Sequence, residues 1–357
     1  MDRAKKEVLI DLTNYGNVTC GFGQIAENYA HRFASAEHDK FDLVYLVPKG
    51  SKECFGDGVR TVEKTTLTKF LPMTRPRVDL WHAVNQQCKM MPPNSSAKFV
   101  YTIHDLNFLT EKSPAKARRY LRRLQRRIDR ADAVTAISKY TADLVTEHCD
   151  LKGKTVKVIY NGVERVDMLP DSRPTFAGER PFFFTIGQIR RKKNFHLLLD
   201  VMAAMPEYDL YISGDTRSAG GVYAEEIRQA IAAKGLKNVF LTGTISDQER
   251  IWLYRHCEAF LFPSQGEGFG LPPIEAMQFG KPVFAAARTC LPEICGGHAY
   301  LWHDLTTDEM LESIRQNLPA FYADPSKAGA VKAYARTFSY DNHINAYLNL
   351  YNELLGV

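Results

Sequence analysis

The sequence predicts an α/β protein made of two Rossmann-like domains, each a parallel sheet covered by helices on both faces. Three observations carry that prediction. Short apolar runs alternate with amphipathic helical runs through most of the chain, as in a sheet buried on both sides. The length, 357 residues, suits two domains at roughly 100–200 residues each. The alternation also breaks at LPDSRPTFAGERP (169–181), rich in Pro, Gly, Ser and charge, and then restarts. The expected organisation is a first domain over 1–168, a linker over 169–181, a second domain over 182–338, and a last helix over 339–357 that can pack on either domain, including back on the first.

KEVLIDL opens the first half as a buried strand, followed by a glycine-bearing segment and a helix at QIAENYAHRFA. Strands follow at FDLVYLVP, DLWHAV and KFVYTIHDL, then an arginine-rich helix, a strand at ADAVTAIS, a helix at KYTADLVTEHC and a strand at VKVIYNGV. In the second half PFFFTIG, YDLYISG, NVFLTG, EAFLFPS and KPVFAA read as strands. FHLLLDVMAAM, VYAEEIRQAIAAKG, DQERIWLYRHC and PPIEAMQFG read as the helices between them, and a final helix covers roughly Tyr340 to Leu355.

Composition excludes several classes. With 45% hydrophobic and 24% charged residues the chain has the make-up of an ordinary globular protein. No stretch approaches the roughly 20 apolar residues of a membrane span, and VLIDL, interrupted by Asp11, is too short for a signal peptide. Seven cysteines, odd in number and without a CxxC pair, indicate neither a disulfide framework nor a zinc site, so a reducing cytoplasm is expected.

The net charge of +5 is mild but unevenly placed. Between Lys112 and Arg130 stand Arg118, Arg119, Arg122, Arg123, Arg126, Arg127 and Arg130, with Asp129 almost the only acid. Ala117, Leu121, Leu124, Ile128 and Ala131 recur at steps of three and four, giving a helix with one apolar stripe and a guanidinium face opposite. A solvated charged face is one reading. An anionic partner met through Arg119, Arg123 and Arg127, either a membrane surface or a phosphorylated lipid or glycan, is the other. Nucleic acid is not expected, because aromatic residues do not interleave the basic run.

In open parallel sheets ligands lie outside the carboxyl ends of the strands. Gly187, Gly214 and Gly243 end three consecutive strands of the second half, where each lets backbone approach a ligand. The richest stretch is FPSQGEGFGLPPIEAMQFGKP (262–282). Glu267 and Glu275 are separated by seven residues, with Gly268, Phe269, Gly270 and Leu271 leading into a helix opened by Pro272-Pro273. Backbone N–H groups there form an anion site. Glu275, expected in the first turn, can accept from ribose hydroxyls, and Glu267 from hexose hydroxyls.

SQGEGFGLPPIEAMQFGKPV resembles the E-x7-E signature of retaining glycosyltransferases of family 4, which have the GT-B fold. IGQIRRKKNFHLLLD resembles that family's phosphate-binding segment, VIYNGVE the end of its first domain, TAISKYTADLV the helix before it, YTIHDL a sugar-site segment and CGFGQIAENYAHRFA the N-terminal glycine loop. The resemblance runs from about residue 8 to about residue 300 and implies two Rossmann-like domains facing each other across a cleft. It implies that Lys193, followed by Asn194, binds the donor phosphates. The family arginine after the strand-end glycine is replaced by Gln188; Arg190 or Arg191 can supply the guanidinium, with Arg190 preferred. His104, flanked by Thr102 and Asp105, matches the histidine near the donor sugar. Gly21 and Gly23 let the first loop approach diphosphate or acceptor, although Ala26 breaks a full dinucleotide fingerprint. Thr244 matches a backbone contact to the base. Ser138 and Asn161 lie near the cleft by analogy, or serve as a helix cap and a turn residue.

The resemblance further implies a metal-independent, front-face transfer with no cofactor beyond the nucleotide-sugar donor. GDP-mannose is the first choice and a UDP-sugar the second. The expected acceptor is a glycan or lipid-linked glycan of bacterial envelope polysaccharide synthesis, worked on in the cytoplasm or at the inner face of the membrane. A sugar-nucleotide epimerase of the same architecture and an inactive binding module remain alternatives.

Overall fold

The computed structural model describes residues 5–16, 21–37, 39–55 and 58–357. Cys20, the start of the expected glycine loop, lies outside them. The chain forms two compact units, one of Met1–Gly162 with Tyr340–Val357 and one of Val163–Ser339.

The first unit is built on seven parallel strands: β1 (Lys6–Asp11), β2 (Phe41–Val47), β3 (Arg60–Glu63), β4 (Leu80–Ala83), β5 (Lys98–Ile103), β6 (Ala133–Ala136) and β7 (Val156–Val158), in spatial order β3-β2-β1-β4-β5-β6-β7. Its helices are α1 (Gly21–Ser35), α2 (Thr66–Phe70), α3 (Phe108–Glu111), α4 (Pro114–Arg130) and α5 (Lys139–His148). Gly21 and Gly23, expected in a loop, instead form the first turn of α1, where glycine is tolerated because few intrahelical bonds have yet closed. β3 was not expected: RTVE is an edge strand, polar at both ends, and lacks the apolar run that marks a central one.

In the second unit the strands β8 (Phe182–Ile186), β9 (Asp209–Ser213), β10 (Val239–Gly243), β11 (Ala259–Phe262), β12 (Val283–Ala286) and β13 (Tyr300–Trp302) lie in the order β10-β9-β8-β11-β12-β13, all parallel. Helices α6 (Leu197–Ala203), α7 (Val222–Ala233), α8 (Asp247–His256) and α9 (Leu271–Gln278) fall where the periodicity predicts. Beyond them come α10 (Leu291–Cys295), α11 (Thr307–Tyr322) and α12 (Pro325–Arg336), absent from the sequence reading together with β13. β13 is a three-residue edge strand, and α11 carries Pro319 inside its last turns, which masks the helical pattern.

Residues 169–181 form no helix or strand, yet they are no free linker. Arg255 donates to Leu169 O and pairs with Asp171 at 2.7 Å, Ser172 N–H bonds Gln248 O, and Gly178 N–H bonds Tyr211 Oη, all within the second unit. The chain instead passes between units at Gly162–Val163 and at Ser339–Tyr340.

The last helix, α13 (Tyr340–Leu355), completes the first unit by burying Tyr340, Ile344, Tyr347, Leu348, Leu350 and Tyr351 in its core. Each such side chain contributes about 2 kcal/mol by leaving water. A buried polar network fixes its register. His82 lies 2.6 Å from Tyr351 Oη and 2.7 Å from Thr102 Oγ1, which is 2.9 Å from Tyr347 Oη. His343 Nδ1–H donates to Tyr160 O at 2.5 Å, so Nε2 accepts from Tyr29 Oη at 2.6 Å. Burial holds His343 at about 4 and His82 well below the ordinary imidazole value.

Both rings are therefore neutral when folded, whereas the unfolded chain protonates them near 6.5. Stability from this network is complete above about pH 6.5 and is lost as the pH falls toward 4. The unfolding midpoint of the chain is expected to drop between pH 7 and pH 5 with net proton uptake on unfolding. A midpoint flat across that range would contradict the neutral assignment.

Candidate active site

The chain order of the second sheet reverses between β8 and β11, the switch point where open sheets hold ligands. The two loops leaving that point carry the residues singled out from sequence. After β8, Gly187 leads through the exposed Gln188 to a single 3-10 turn, Arg191–Lys193, closed by Asn194 in the left-handed region at φ 54°. After β11, Pro263 and Ser264 lead to Glu267. Gln265 N–H donates to Lys192 O at 2.8 Å, and Asn194 Nδ2–H to Pro263 O at 3.1 Å, so the loops are stitched together.

This stitching sets Lys193 Nζ 2.5 Å from Glu267 Oε1, with the two side chains only 10% and 15% exposed. Ser264 Oγ–H donates to the same carboxylate oxygen at 2.5 Å, and the ammonium sits 4.8 Å from the Phe262 ring centroid. An ion pair so far out of water needs those extra contacts to offset its desolvation. Glu267 N–H is held by Thr289 Oγ1 at 3.2 Å, and Cys290 Sγ bonds Phe269 O at 3.2 Å.

The strand-end glycines form the floor. Gly187 N–H bonds Ser213 O and Gly214 N–H bonds Gly243 O. A Cβ on Gly214, at φ +142°, would stand 1.8 Å from Gly187 O, and one on Gly187 would stand 3.1 Å from Lys193 Cε. Thr244 follows at the surface, exposed.

Of the two candidate arginines, Arg191 is committed: its Nη2 lies 2.6 Å from both oxygens of Glu226 and its guanidinium is over Tyr223. Arg190 is half-buried and its Nε–H has no partner. Gly270, at φ +96°, caps α9, so Leu271, Pro272 and Pro273 form its first turn. Glu275 is thus the fifth residue of α9, just past the first turn in which it was expected, because the helix starts at Leu271, one residue before the prolines. Its Oε2 accepts from Arg250 Nη1 at 2.8 Å and Tyr254 Oη at 2.9 Å. The adjacent carboxylate raises the Arg250 guanidinium still further, and burial raises the Tyr254 hydroxyl. Sequence reasoning missed both, although their i, i+4 spacing on α8 was a usable signal.

The remaining candidates lie in the first unit. His104, at the end of β5, donates Nε2–H to Val84 O at 2.8 Å and its N–H to Gln86 Oε1 at 3.0 Å. Its ring meets Phe22 edge-on at 5.1 Å, which brings the Gly21–Gly23 turn beside it. Burial lowers it to about 4, so it is a neutral hydrogen-bonding group and not a proton carrier near pH 7. Ser138 Oγ accepts from Thr141 N–H as the cap of α5, and Asn161 is buried. On α4, Arg119 and Arg123 are exposed. Arg127 is half-buried against the sheet, bonding Arg123 O at 3.2 Å.

Residues 171–336 match the family model for glycosyl transferases group 1, and residues 74–166 the model for glycosyltransferase family 4. The chain carries the domains of the group 1 and family 4 glycosyltransferases. It is 28% identical over 286 residues to the serotype-specific mannosyltransferase WbdA of Escherichia coli, a match covering 72% of this chain and 34% of that protein. To the O-antigen chain mannosyltransferase C of Escherichia coli it is 28% identical, over 57% and 55% of the two chains. The chain spans about a third of the length of the WbdA relatives. Among solved structures, sucrose-phosphate synthase from Thermosynechococcus elongatus superposes with a TM-score of 0.75 at 16% identity, covering 99% of this chain and 100% of that one. Anabaena HepE in complex with UDP-glucose does so at 0.72 and 18%, covering 98% and 99%. These neighbours establish the GT-B fold.

In the second unit the floor is sterically closed to any side chain at Gly214. Gly214→Ala is expected to lower stability by several kcal/mol, on the order of the largest single-site effects, because the obstacle is backbone. Denaturant unfolding within about 0.5 kcal/mol of the parent would show that the β8 and β9 ends can separate.

Proposed function

We propose that the chain transfers a hexose from a nucleotide-diphosphate sugar to a glycan or glycolipid acceptor of bacterial envelope polysaccharide synthesis, with retention at the anomeric carbon. GDP-mannose is the preferred donor, supported by relatives named as mannosyltransferases of O-antigen chains. A UDP-sugar is the second choice, supported by the HepE neighbour bound to UDP-glucose. The observation that carries the reading is the sequestered Lys193–Glu267 pair at the switch point of the second sheet.

As the bond from the anomeric carbon to the diphosphate breaks, negative charge grows on the leaving oxygens, and fixed positive groups aimed there lower the barrier most. A diphosphate competes with Glu267 for the Lys193 ammonium. Its arrival releases the carboxylate to accept hydroxyls of the hexose, coupling charge recognition to sugar recognition. Arg190, unlike Arg191, has an N–H to offer. The N–H groups of Gly268 to Leu271 face the anion from the start of α9. Glu275 keeps Oε1 for ribose hydroxyls while Arg250 and Tyr254 hold Oε2. The acceptor oxygen bonds the anomeric carbon on the face the diphosphate leaves, and its proton passes to the departing phosphate. These groups supply the neutralisation without a metal ion. His104, neutral, acts as a hydrogen-bonding group toward the sugar.

A thermal-shift screen of sugar nucleotides identifies the donor, since a ligand specific to the native state raises the midpoint by mass action. Lys193→Ala and Glu275→Ala are expected to lower transfer by about 10²-fold or more with unchanged circular dichroism. Parental turnover in either refutes the site. A new sugar nucleotide formed without acceptor would instead indicate an epimerase.

A further inference from the structure

Four large apolar side chains stand in water within seven residues of the first unit: Leu67, Phe70, Leu71 and Met73 are 60%, 66%, 44% and 84% exposed. They belong to α2 and the 3-10 turn Pro72–Thr74 that follows. This segment is firmly built. Thr65 and Thr68 cap it reciprocally, and Arg75 donates to Thr68 O at 2.8 Å, Lys69 O at 3.1 Å and Met91 O at 2.9 Å. Thr68 is buried and Arg75 half-buried while the apolar groups point out, the reverse of what water selects. A contiguous exposed apolar patch of this kind marks a surface with a partner.

The charge beside it says which partner. Lys69 is exposed, its ammonium 4.7 Å over the Phe70 ring. On α4, Arg118, Arg119, Arg122 and Arg126 are exposed, and among the described residues none of them forms a salt bridge. The crossovers β3 to β4 and β5 to β6 run in the same direction across the sheet, so right-handed connections put α2 and α4 on one face. The 84–97 segment lies between them: Arg75 bonds Met91 O on one side, and Arg130 bonds Asn94 O at 3.0 Å and Ala97 O at 2.7 Å on the other.

We propose that this face docks on an anionic lipid bilayer, with Leu67, Phe70, Leu71 and Met73 entering the interface and the α4 arginines lying along the headgroups. Apolar insertion beside unpaired cations is the physics of interfacial membrane binding. A second copy using the same face would bring two arginine helices together, which like-charge repulsion opposes. The proposal stands independently of glycosyl transfer.

Co-sedimentation with vesicles of phosphatidylcholine, with and without phosphatidylglycerol, tests it. The full chain is expected to pellet with the anionic vesicles in a salt-sensitive manner. Phe70→Ser with Met73→Ser should cut partitioning at least about tenfold. Arg118→Glu with Arg119→Glu and Arg122→Glu should abolish the preference for phosphatidylglycerol. All these sites are exposed, so an unchanged unfolding midpoint confirms that the variants fold. Failure of the parent to bind anionic vesicles, or parental binding by both variants, overturns the proposal. So does lipid-free self-association that Phe70→Ser with Met73→Ser removes, which would assign the patch to a second copy.

Discussion

Everything chemical in the second unit rests on how closely backbone packs at the carboxyl edge of its sheet. Gly187, Gly214 and Gly243 end neighbouring strands and hand hydrogen bonds to one another's strands, leaving no room for a side chain between the first two. The shelf so made is low enough for Lys193 to lie across it and reach a carboxylate from the next loop. The lysine is not positioned by its own rotamer alone. Asn194 bends the chain back through a left-handed conformation and ties itself to Pro263, while Gln265 ties itself to Lys192. A flexible four-carbon side chain becomes a fixed charge because both ends of its surroundings are fixed.

Much of this was legible before any coordinate. Central strands announce themselves as continuous apolar runs, and FFFTI, DLYIS and AFLF sit where those runs predict. Lys193 and Glu267 are 74 residues apart in sequence, but the rule that ligands gather at the reversal of strand order makes their meeting foreseeable. What stayed hidden shares one physical trait: the local pattern did not carry it. β3 and β13 are edge strands, half-solvated and short. Arg250 and Tyr254 matter because of which carboxylate α8 passes, a fact set by tertiary packing. That Arg191 is tied to an acid depends on Glu226, a residue of α7 that no local reading would connect to the loop after β8.

The first unit solves a different problem. Its sheet is covered in part by a helix from the far end of the chain, and that helix is held by hydroxyl and imidazole groups as well as by apolar ones. Buried polar groups stabilise little on net, but leaving one unpaired costs more than forming the bond gains. The linked chain Tyr351–His82–Thr102–Tyr347 therefore acts as a register device, since sliding α13 by one residue would orphan several polar atoms at once. The residues after Ser339 are as much a part of the first unit as β1, which sequence order alone conceals.

The two units also use charge in opposite ways. Around the second unit's switch point three cations are answered by carboxylates: Lys193 by Glu267, Arg191 by Glu226, Arg250 by Glu275. Such pairs hold geometry in a partly dry site and leave little net field, so the unpartnered N–H of Arg190 stands out against a neutralised background. The α4 face of the first unit does the reverse, presenting guanidinium groups without matching acids. Exposed like charges in water interact weakly once salt screens them, and they cost stability when crowded on one helix. On the docking proposal their counter-charges arrive from outside, whereas the cations beside the second sheet's switch point already have theirs within the unit, paired and still.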